Sequence, residues 1–261
     1  MTACNLLNTS IDLPLDVEPI IAGENEVASA KRLVARMCKQ YRRFFDVIVA
    51  DALYMEGPFI NLCKGLGKDV VVVLKNNFPS LIEDAQGLFD RMQPQHWDAE
   101  GRHIEAWDVE GFETESVDAP LRVLRTIETH TKKVWENGRR VEKDAVCQWW
   151  WASTIPKTRL GTKQLWKRGH SRWQIENNIF NTLGQHWALN HCYSHDPRAM
   201  INFVLMLFMA FTLAQCFFKR NLKPQMQAGL STLIALTNQL YAGLNGKSYI
   251  PMLRVSGAGP P

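Results

Sequence analysis

The chain has 261 residues, 46% of them hydrophobic and 21% charged, with a formal net charge of +4 at pH 7. This is an ordinary globular composition with ample apolar content for a core, and a charge too small to argue for nucleic-acid binding by itself, since a basic stripe matters more than a total. Six cysteines without a CxxC pair or regular spacing fit buried free thiols in a reducing cytoplasm better than a disulfide framework or a zinc site.

The N-terminal text MTACNLLNTSIDLPLDVEP has no basic stretch followed by an apolar one, so no signal peptide is expected. Residues 11–20, IDLPLDVEPI, read as a short extended segment broken by prolines. From Gly23 the apolar residues Val27, Ala30, Leu33, Val34, Met37 and Cys38 recur at helical spacing. FFDVIVADALY then reads as a buried parallel strand ending in Asp51, GPFINLCKGLG as a short helix with Pro58 at its start, and DVVVVLK as a second buried strand. Helix, strand, helix, strand at these lengths is an α/β pattern with parallel pairing.

Residues 79–160 alternate short apolar and polar stretches such as HIEAWDVEGF, LRVLRTIET and AVCQWWWAST, with a turn at Glu136-Asn137-Gly138. Several short antiparallel strands are expected there, forming an inserted β subdomain. Helices are expected over 162–188, 197–220 and about 229–242, with a tail over 246–261 whose end, SGAGPP, is expected to be disordered. The apolar run 201–218 is at the lower length limit for a membrane span. Asn202, Thr212 and Gln215 within it favour a helix buried inside a soluble domain, with membrane association as the alternative.

Asp51 lies at the carboxyl end of an expected parallel strand, where open α/β sheets place ligand-binding residues. An isolated Asp there is also a common turn cap. Asp46, at the other end of that strand, is given no role. Glu176 sits four residues after Arg172 on an amphipathic helix, SRWQIENNIF. On a surface such a pair is worth only ~0.2–0.5 kcal/mol. Two carboxylates on a strand end and a facing helix also suit Mg²⁺, which takes oxygen ligands and substrate phosphate, with Arg172 turned toward phosphate.

HCYSH at 191–195, with His186 nearby, reads as capping or core histidines, with only His191 and His195 at helical i,i+4 spacing. In the run Trp149-Trp150-Trp151, strand alternation predicts at least one Trp facing solvent or an interface; core packing is the default and base stacking the alternative. Lys157, Arg159, Lys163, Lys167, Arg168 and Arg172 form one local basic concentration suited to a DNA-facing surface.

DVIVADALYMEGPFINLCKGLGKDVVVVLK together with SRWQIENNIFNTLGQHWALNH resembles the DDE transposases of bacterial insertion sequences, in the branch close to insertion sequence type four. The likeness covers most of residues 11–240. It implies an α/β, RNase H-like mixed sheet interrupted by a β-strand insertion and followed by a helical C-terminal part. The parts are 11–78 and 161–245 for the catalytic domain, 79–160 for the insertion and 246–261 for the tail. It implies that two Asp and one Glu hold two Mg²⁺ ions for DNA strand cleavage and joining, with Asp51 at the second Asp and Glu176 at the Glu. Arg172, Lys75, Lys167 and Arg168 are then DNA contacts. The implied partners are double-stranded DNA at the transposon's terminal inverted repeats and further copies of the chain on that DNA, in a nucleoid-associated cytoplasmic setting without a membrane.

The family pattern has a Tyr three residues before the Arg and a Lys seven after the Glu; here those positions are Gly169 and Leu183. The family's first Asp lies on an opening strand followed by two more strands and a helix. Only 34 residues lie between Asp16 and Asp51, too few for those strands beside a five-turn helix, so IDLPLDVEPI is placed as the third strand. The chain is therefore expected to be a C-terminal portion lacking the first catalytic Asp, and inactive or nearly so. A DNA-binding remnant or inhibitor of a complete transposase is the alternative.

Overall fold

The computed structural model describes residues 1–7, 9–136, 139–222 and 232–246. These fall into two compact units: Met1–Thr2 with Ile20–Trp173, and Ala3–Pro19 with the described residues from Gln174 onward.

In the first unit Asn25 starts helix α1 (Glu26–Tyr41), its side chain accepting from the Ala28 amide at 2.9 Å, one of the four donors that a helix start leaves open. Val27, Ala30, Leu33 and Met37 form its buried stripe. Strand β3 (Val47–Ala50), helix α2 (Gly57–Gly65, with Pro58 in its first turn) and strand β4 (Asp69–Val73) follow. β3 and β4 pair in parallel from Val47–Asp69 to Ala50–Val72. All five residues of β4 are buried, as a strand covered on both faces requires.

Helix α3 (Pro79–Phe89) comes next, then β5 (Gln95–Ala99), β6 (Arg102–Thr114), β7 (Val117–Glu136), β8 (Arg139–Ser153) and helix α4 (Thr162–Ser171). The sheet order is β3-β4-β8-β7-β6-β5. Two expectations change here. Residues 79–89 form a helix, because Leu81, Ala85 and Phe89 bury at four-residue spacing behind a first-turn proline. The strands that follow are mostly long, 13, 20 and 15 residues in β6 to β8, and they extend the same sheet: β8 runs antiparallel to β4, Val72 opposite Ala152. Asn137 and Gly138 of the expected turn lie outside the described residues, as does the tail beyond Gly246.

Alternation along the strands divides two cores. Val70, Val72 and Ala152 pack with Val27, Phe59, Ile60, Leu81 and Phe89 of α1, α2 and α3. Val71, Val73 and Trp151 pack with Leu165 and Trp166 of α4. None of the three consecutive tryptophans is exposed, contrary to expectation: Trp149 and Trp151 stack on the α4 face with ring centres 6.1 Å apart, while Trp150 meets Phe89 at 5.6 Å on the other. Helices cover the strand on both faces at these three positions, although its earlier part is largely exposed. Trp151, 1% exposed, is the largest such anchor; a side chain of this size removes roughly 150–250 Å² from water, worth about 4–6 kcal/mol.

In the second unit β1 (Thr2–Leu6) pairs with β2 (Leu13–Glu18) as a two-stranded sheet, so the strand in IDLPLDVEPI is the hairpin partner of β1. A π-helical segment Ile175–Phe180, helices α5 (Asn181–His186) and α6 (Pro197–Cys216), a second π-helical segment Phe217–Asn221 and helix α7 (Leu233–Leu244) complete the unit. Val17, Ile179, Leu183, Val204, Phe208 and Phe211 make its core. Gln215 is buried in apolar α6 because both backbone groups of Asp12 satisfy it, the Asp12 amide at 2.9 Å and the carbonyl at 2.7 Å.

α6 is not buried all round, as expected above. Met206, Met209 and Leu213 are about 60% exposed or more (65, 59 and 62%) on the face away from Val204, Phe208 and Phe211. With its π-helical end it spans Pro197–Asn221, 25 residues containing an 18-residue window of mean hydropathy 2.0, long and apolar enough to cross a membrane by length and composition.

Candidate active site

β3 ends at Ala50, and Asp51 begins a single 3-10 turn, Ala52–Tyr54. Its Oδ1 accepts from the Ala52 amide at 2.7 Å, so the capping role is real. That leaves Oδ2, on a side chain 42% exposed, facing Arg172 Nη1 at 3.9 Å. The arginine is only 12% exposed, and its guanidinium lies 4.9 Å from the Trp173 ring centre, a contact that holds a planar cation in place.

The position of Arg172 is set by α4, which is fastened to the sheet by a buried carboxylate. Glu128 on β7 accepts from Trp166 Nε1 at 2.8 Å, from His170 Nε2 at 2.7 Å and from Arg102 at 2.6 Å. Burial alone would raise the Glu128 carboxyl. The His170 hydrogen bond and charge, with the Trp166 and Arg102 bonds, outweigh it and hold the group at about 2. Gly169 lets α4 lie on Trp151: a Cβ there would sit 2.4 Å from the indole Nε1. The family's Tyr at this position therefore has no room here. Leu183, at the family's Lys, is fully buried in the second core.

Lys75 is exposed just beyond β4. The side chain of Asn77 bridges the two strand ends, donating to the Ala52 carbonyl at 2.6 Å and accepting from the Lys75 amide at 3.3 Å. Asn77 was not singled out from the sequence, although the strand-end reasoning applied to Asp51 reaches it too. Tyr54 donates to Glu26 at 2.7 Å. Burial, then that bond, then the charges of Glu26 and Asp51 push its phenol above the ordinary value, so it stays protonated beside the aspartate.

The basic concentration after residue 157 does not form one surface. Lys157 bonds the Asp108 carbonyl, Arg159 reaches Asp69 Oδ2 at 2.6 Å, and Lys163 lies over Trp97 at 5.6 Å. Asp69 starts β4, so Arg159 serves the end of the parallel pair opposite Asp51. Lys167 is exposed and Arg168 half-buried on α4, and no ion pair holds either among the described residues.

Glu176 belongs to the second unit, exposed in the π-helical segment beside buried Ile179. The regular helical register expected to carry it on from Arg172 is replaced there by the wider π turn. Such turns are frequent at functional sites. His191 and His195 lie outside any helix and are exposed, His191 against Tyr193 and His195 Nδ1 3.8 Å from Cys192 Sγ.

The structure thus brings Asp51, Arg172 and the Lys75 turn to the carboxyl ends of β3 and β4, the place where parallel sheets hold ligands. A half-exposed carboxylate with one oxygen left over by its own turn fits a hard divalent cation, which prefers such oxygens and keeps further positions for water or phosphate. Residues 2–213 match the family model described as Transposase DDE domain. No curated protein matches the sequence.

Proposed function

The chain belongs to the transposase DDE-domain family, and on that premise we propose that Asp51 and Glu176 are metal ligands for DNA strand cleavage and joining. Membership supports transposase function in DNA transposition and recombination; domains of this kind generally use divalent metal ions and imply DNA binding. The finer reading is Mg²⁺ as the ion, two per complete site, and double-stranded transposon ends as the substrate. It places the chain near the insertion sequence type four branch, working as a homo-oligomer on nucleoid DNA.

The observation that supports it most is the approach of Arg172 to Asp51, two residues far apart in sequence and brought together at the carboxyl ends of the parallel strands. Asp51 and Glu176 would hold the ions, which would supply charge stabilisation for a phosphodiester displacement. Asp51 would offer Oδ2, the oxygen its own turn does not use, and Arg172, steadied on Trp173, would present its planar fork to the phosphate beside it. Lys75, Lys167 and Arg168 would contact neighbouring phosphates, making binding salt-sensitive.

A second reading, a DNA-binding protein without catalysis, is favoured by one feature. Within the first unit β3 pairs with β4 alone, whereas the resemblance calls for a neighbouring strand carrying the first Asp. The two readings separate in a plasmid-nicking assay on the purified chain with Mg²⁺. Nicking or joining that Asp51→Asn and Glu176→Gln each abolish, with DNA binding retained, supports the enzyme. Salt-sensitive binding indifferent to Mg²⁺ and to Asp51→Asn, with no nicking, supports the non-catalytic protein.

A further inference from the structure

The far edge of the six-stranded sheet carries a cluster unconnected with Asp51. β5, the last strand in the order, returns into β6 through Glu100 and Gly101, both at positive φ (53° and 71°), the two-residue turn whose twist matches paired strands. The turn fixes the register: His96 lies opposite Glu105, and Asp98 opposite His103. Residues two apart on a strand share a face, so these four side chains stand together on one side of the hairpin. Trp97 and Ile104, between them, are buried on the other.

We propose that His96, His103 and Glu105 bind a divalent transition-metal ion of the Zn²⁺ class, with Asp98 setting the tautomer of His103. The ligand atoms of the three residues all lie within 4.8 Å of one another, and His96 Nδ1 is 3.9 Å from Glu105 Oε1. Ligands ~2.0–2.1 Å from a tetrahedral Zn²⁺ sit about 3.3 Å apart. Small side-chain rotations close that difference, and the residues are free to make them, with side chains 51, 52 and 38% exposed for His96, His103 and Glu105.

Asp98 Oδ1 lies 2.8 Å from His103 Nδ1. A carboxylate there accepts a hydrogen bond from Nδ1–H and so leaves the Nε2 lone pair for the metal, the outer partner that ligating histidines usually have. Two neutral imidazoles and a carboxylate are a borderline-soft donor set, unlike the all-carboxylate set proposed for Asp51 and Glu176.

Ion pairing alone accounts for the cluster less well. Read as ion pairs, unlike the neutral Nδ1–H bond above, both contacts need a charged ring, and the two rings are stacked with centres 5.9 Å apart and planes at 22°. Two cations so placed repel, whereas two neutral rings sharing one metal ion do not. The bound ion would lock the edge strand to β6, at the position where an unpaired edge invites pairing with other chains.

The test is a Zn²⁺ titration of the purified full chain by isothermal calorimetry in saturating Mg²⁺, which fills hard carboxylate sites. One Zn²⁺ per chain is expected, its heat lost in the His96→Ala/His103→Ala double variant and its affinity at least ~10-fold weaker in Glu105→Gln and in Asp98→Asn. Cys192→Ser/His195→Ala, which removes the other exposed thiol–imidazole pair, should leave the isotherm unchanged. Circular dichroism of the metal-free variants confirms that they fold. The site is overturned if wild-type protein gives no Zn²⁺ heat, if the double histidine variant keeps it, or if the Cys192/His195 variant loses it; the hairpin then carries surface ion pairs only.

Discussion

Two aspartates mark the opposite ends of the parallel strand pair, and their surroundings differ in kind. Asp69, at the start of β4 with its side chain 5% exposed, accepts from Lys64 at 2.7 Å, Thr154 at 2.8 Å and Arg159 at 2.6 Å. Burial alone would raise its carboxyl, and these partners hold it below its ordinary value. Asp51, at the end of β3, keeps one turn hydrogen bond and an arginine at 3.9 Å, and is 42% exposed. Where the protein uses a carboxylate for structure it saturates the oxygens, because an unsatisfied buried acceptor costs ~1–3 kcal/mol or more. Where a carboxylate is left with spare acceptor capacity at a strand end, ligand binding is the economical explanation.

The strongest test of the saturated class is the Asp108–Arg122 pair on β6 and β7. It is bidentate at 2.8 and 2.6 Å, with side chains 0 and 1% exposed, and Arg122 also donates to the Leu160 carbonyl at 2.6 Å. Arg122→Ala strips a buried carboxylate of its bidentate partner and leaves only Lys157 Nζ at 4.0 Å and the Thr162 hydroxyl, a loss of about 3–5 kcal/mol. A thermal melt should show it as a fall on the order of 10 °C. A melt that does not move would mean that saturation in this sheet does not report structural weight, and the contrast with Asp51 would lose its basis.

The contrast itself predicts a double dissociation. Asp51→Asn should lower Mg²⁺-dependent nicking by about 10²–10³-fold, the cost of one preorganised electrostatic group, and change stability by less than about 0.5 kcal/mol. Asp69→Asn should cost about 1.5–3 kcal/mol, since charged hydrogen bonds are lost, and spare nicking at temperatures where the variant is folded. Denaturant curves and the plasmid assay read the two columns separately. An Asp51→Asn protein destabilised as much as Asp69→Asn would return Asp51 to the role of a turn cap.

Acid provides the next measure. Glu128 is held at about 2 against an ordinary 4.5, so its folded value is depressed. Its contribution is therefore complete above about pH 4.5 and is lost as pH falls from there toward 2, on the order of 3 kcal/mol in all. Unfolding free energies measured between pH 5 and 3 should fall for the wild type and fall less steeply for Glu128→Gln. Parallel slopes would show that the link from β7 to α4 is not ionic.

Much of the first unit could be read locally. The stripe of α1, the apolar runs of β3 and β4, and Pro58 ahead of α2 are signals spanning a few residues each, and Asp51 follows from the strand it ends. What escaped depended on partners distant in sequence. Pairing of β8 with β4 has no local mark, and it turns the β-rich stretch into an extension of the main sheet. The length of β6 was hidden where its register to β7 shifts between Glu110 and Phe112, around Gly111 at φ 98°. Helix α3 was lost among short alternations because Ile82 and Leu88, outside the fully buried set Leu81, Ala85 and Phe89, blur its apolar stripe. Arg172 was matched with Glu176 by helical spacing, whereas its approach to Asp51 exists only once α4 lies on the sheet.

That dependence gives the smallest and most specific prediction. Gly169 precedes Arg172 by three residues and faces the Trp151 indole, where a Cβ would come within 2.4 Å of Nε1 and 2.5 Å of Cε2. The ring is 1% exposed and stacked on Trp149, so α4 would move before the tryptophan did. Gly169→Ala should cost about 1–3 kcal/mol by overpacking, although alanine is the better helix former by about 1 kcal/mol on an open helix. The displacement also carries Arg172 away from Asp51 without touching either side chain. A Gly169→Ala protein should therefore lose nicking beyond its loss of stability, and a Trp151→Phe change in the same chain should restore part of both by opening space at the indole nitrogen. Stability lost with nicking intact would mean that the Arg172–Asp51 approach is a consequence of packing and takes no part in the chemistry.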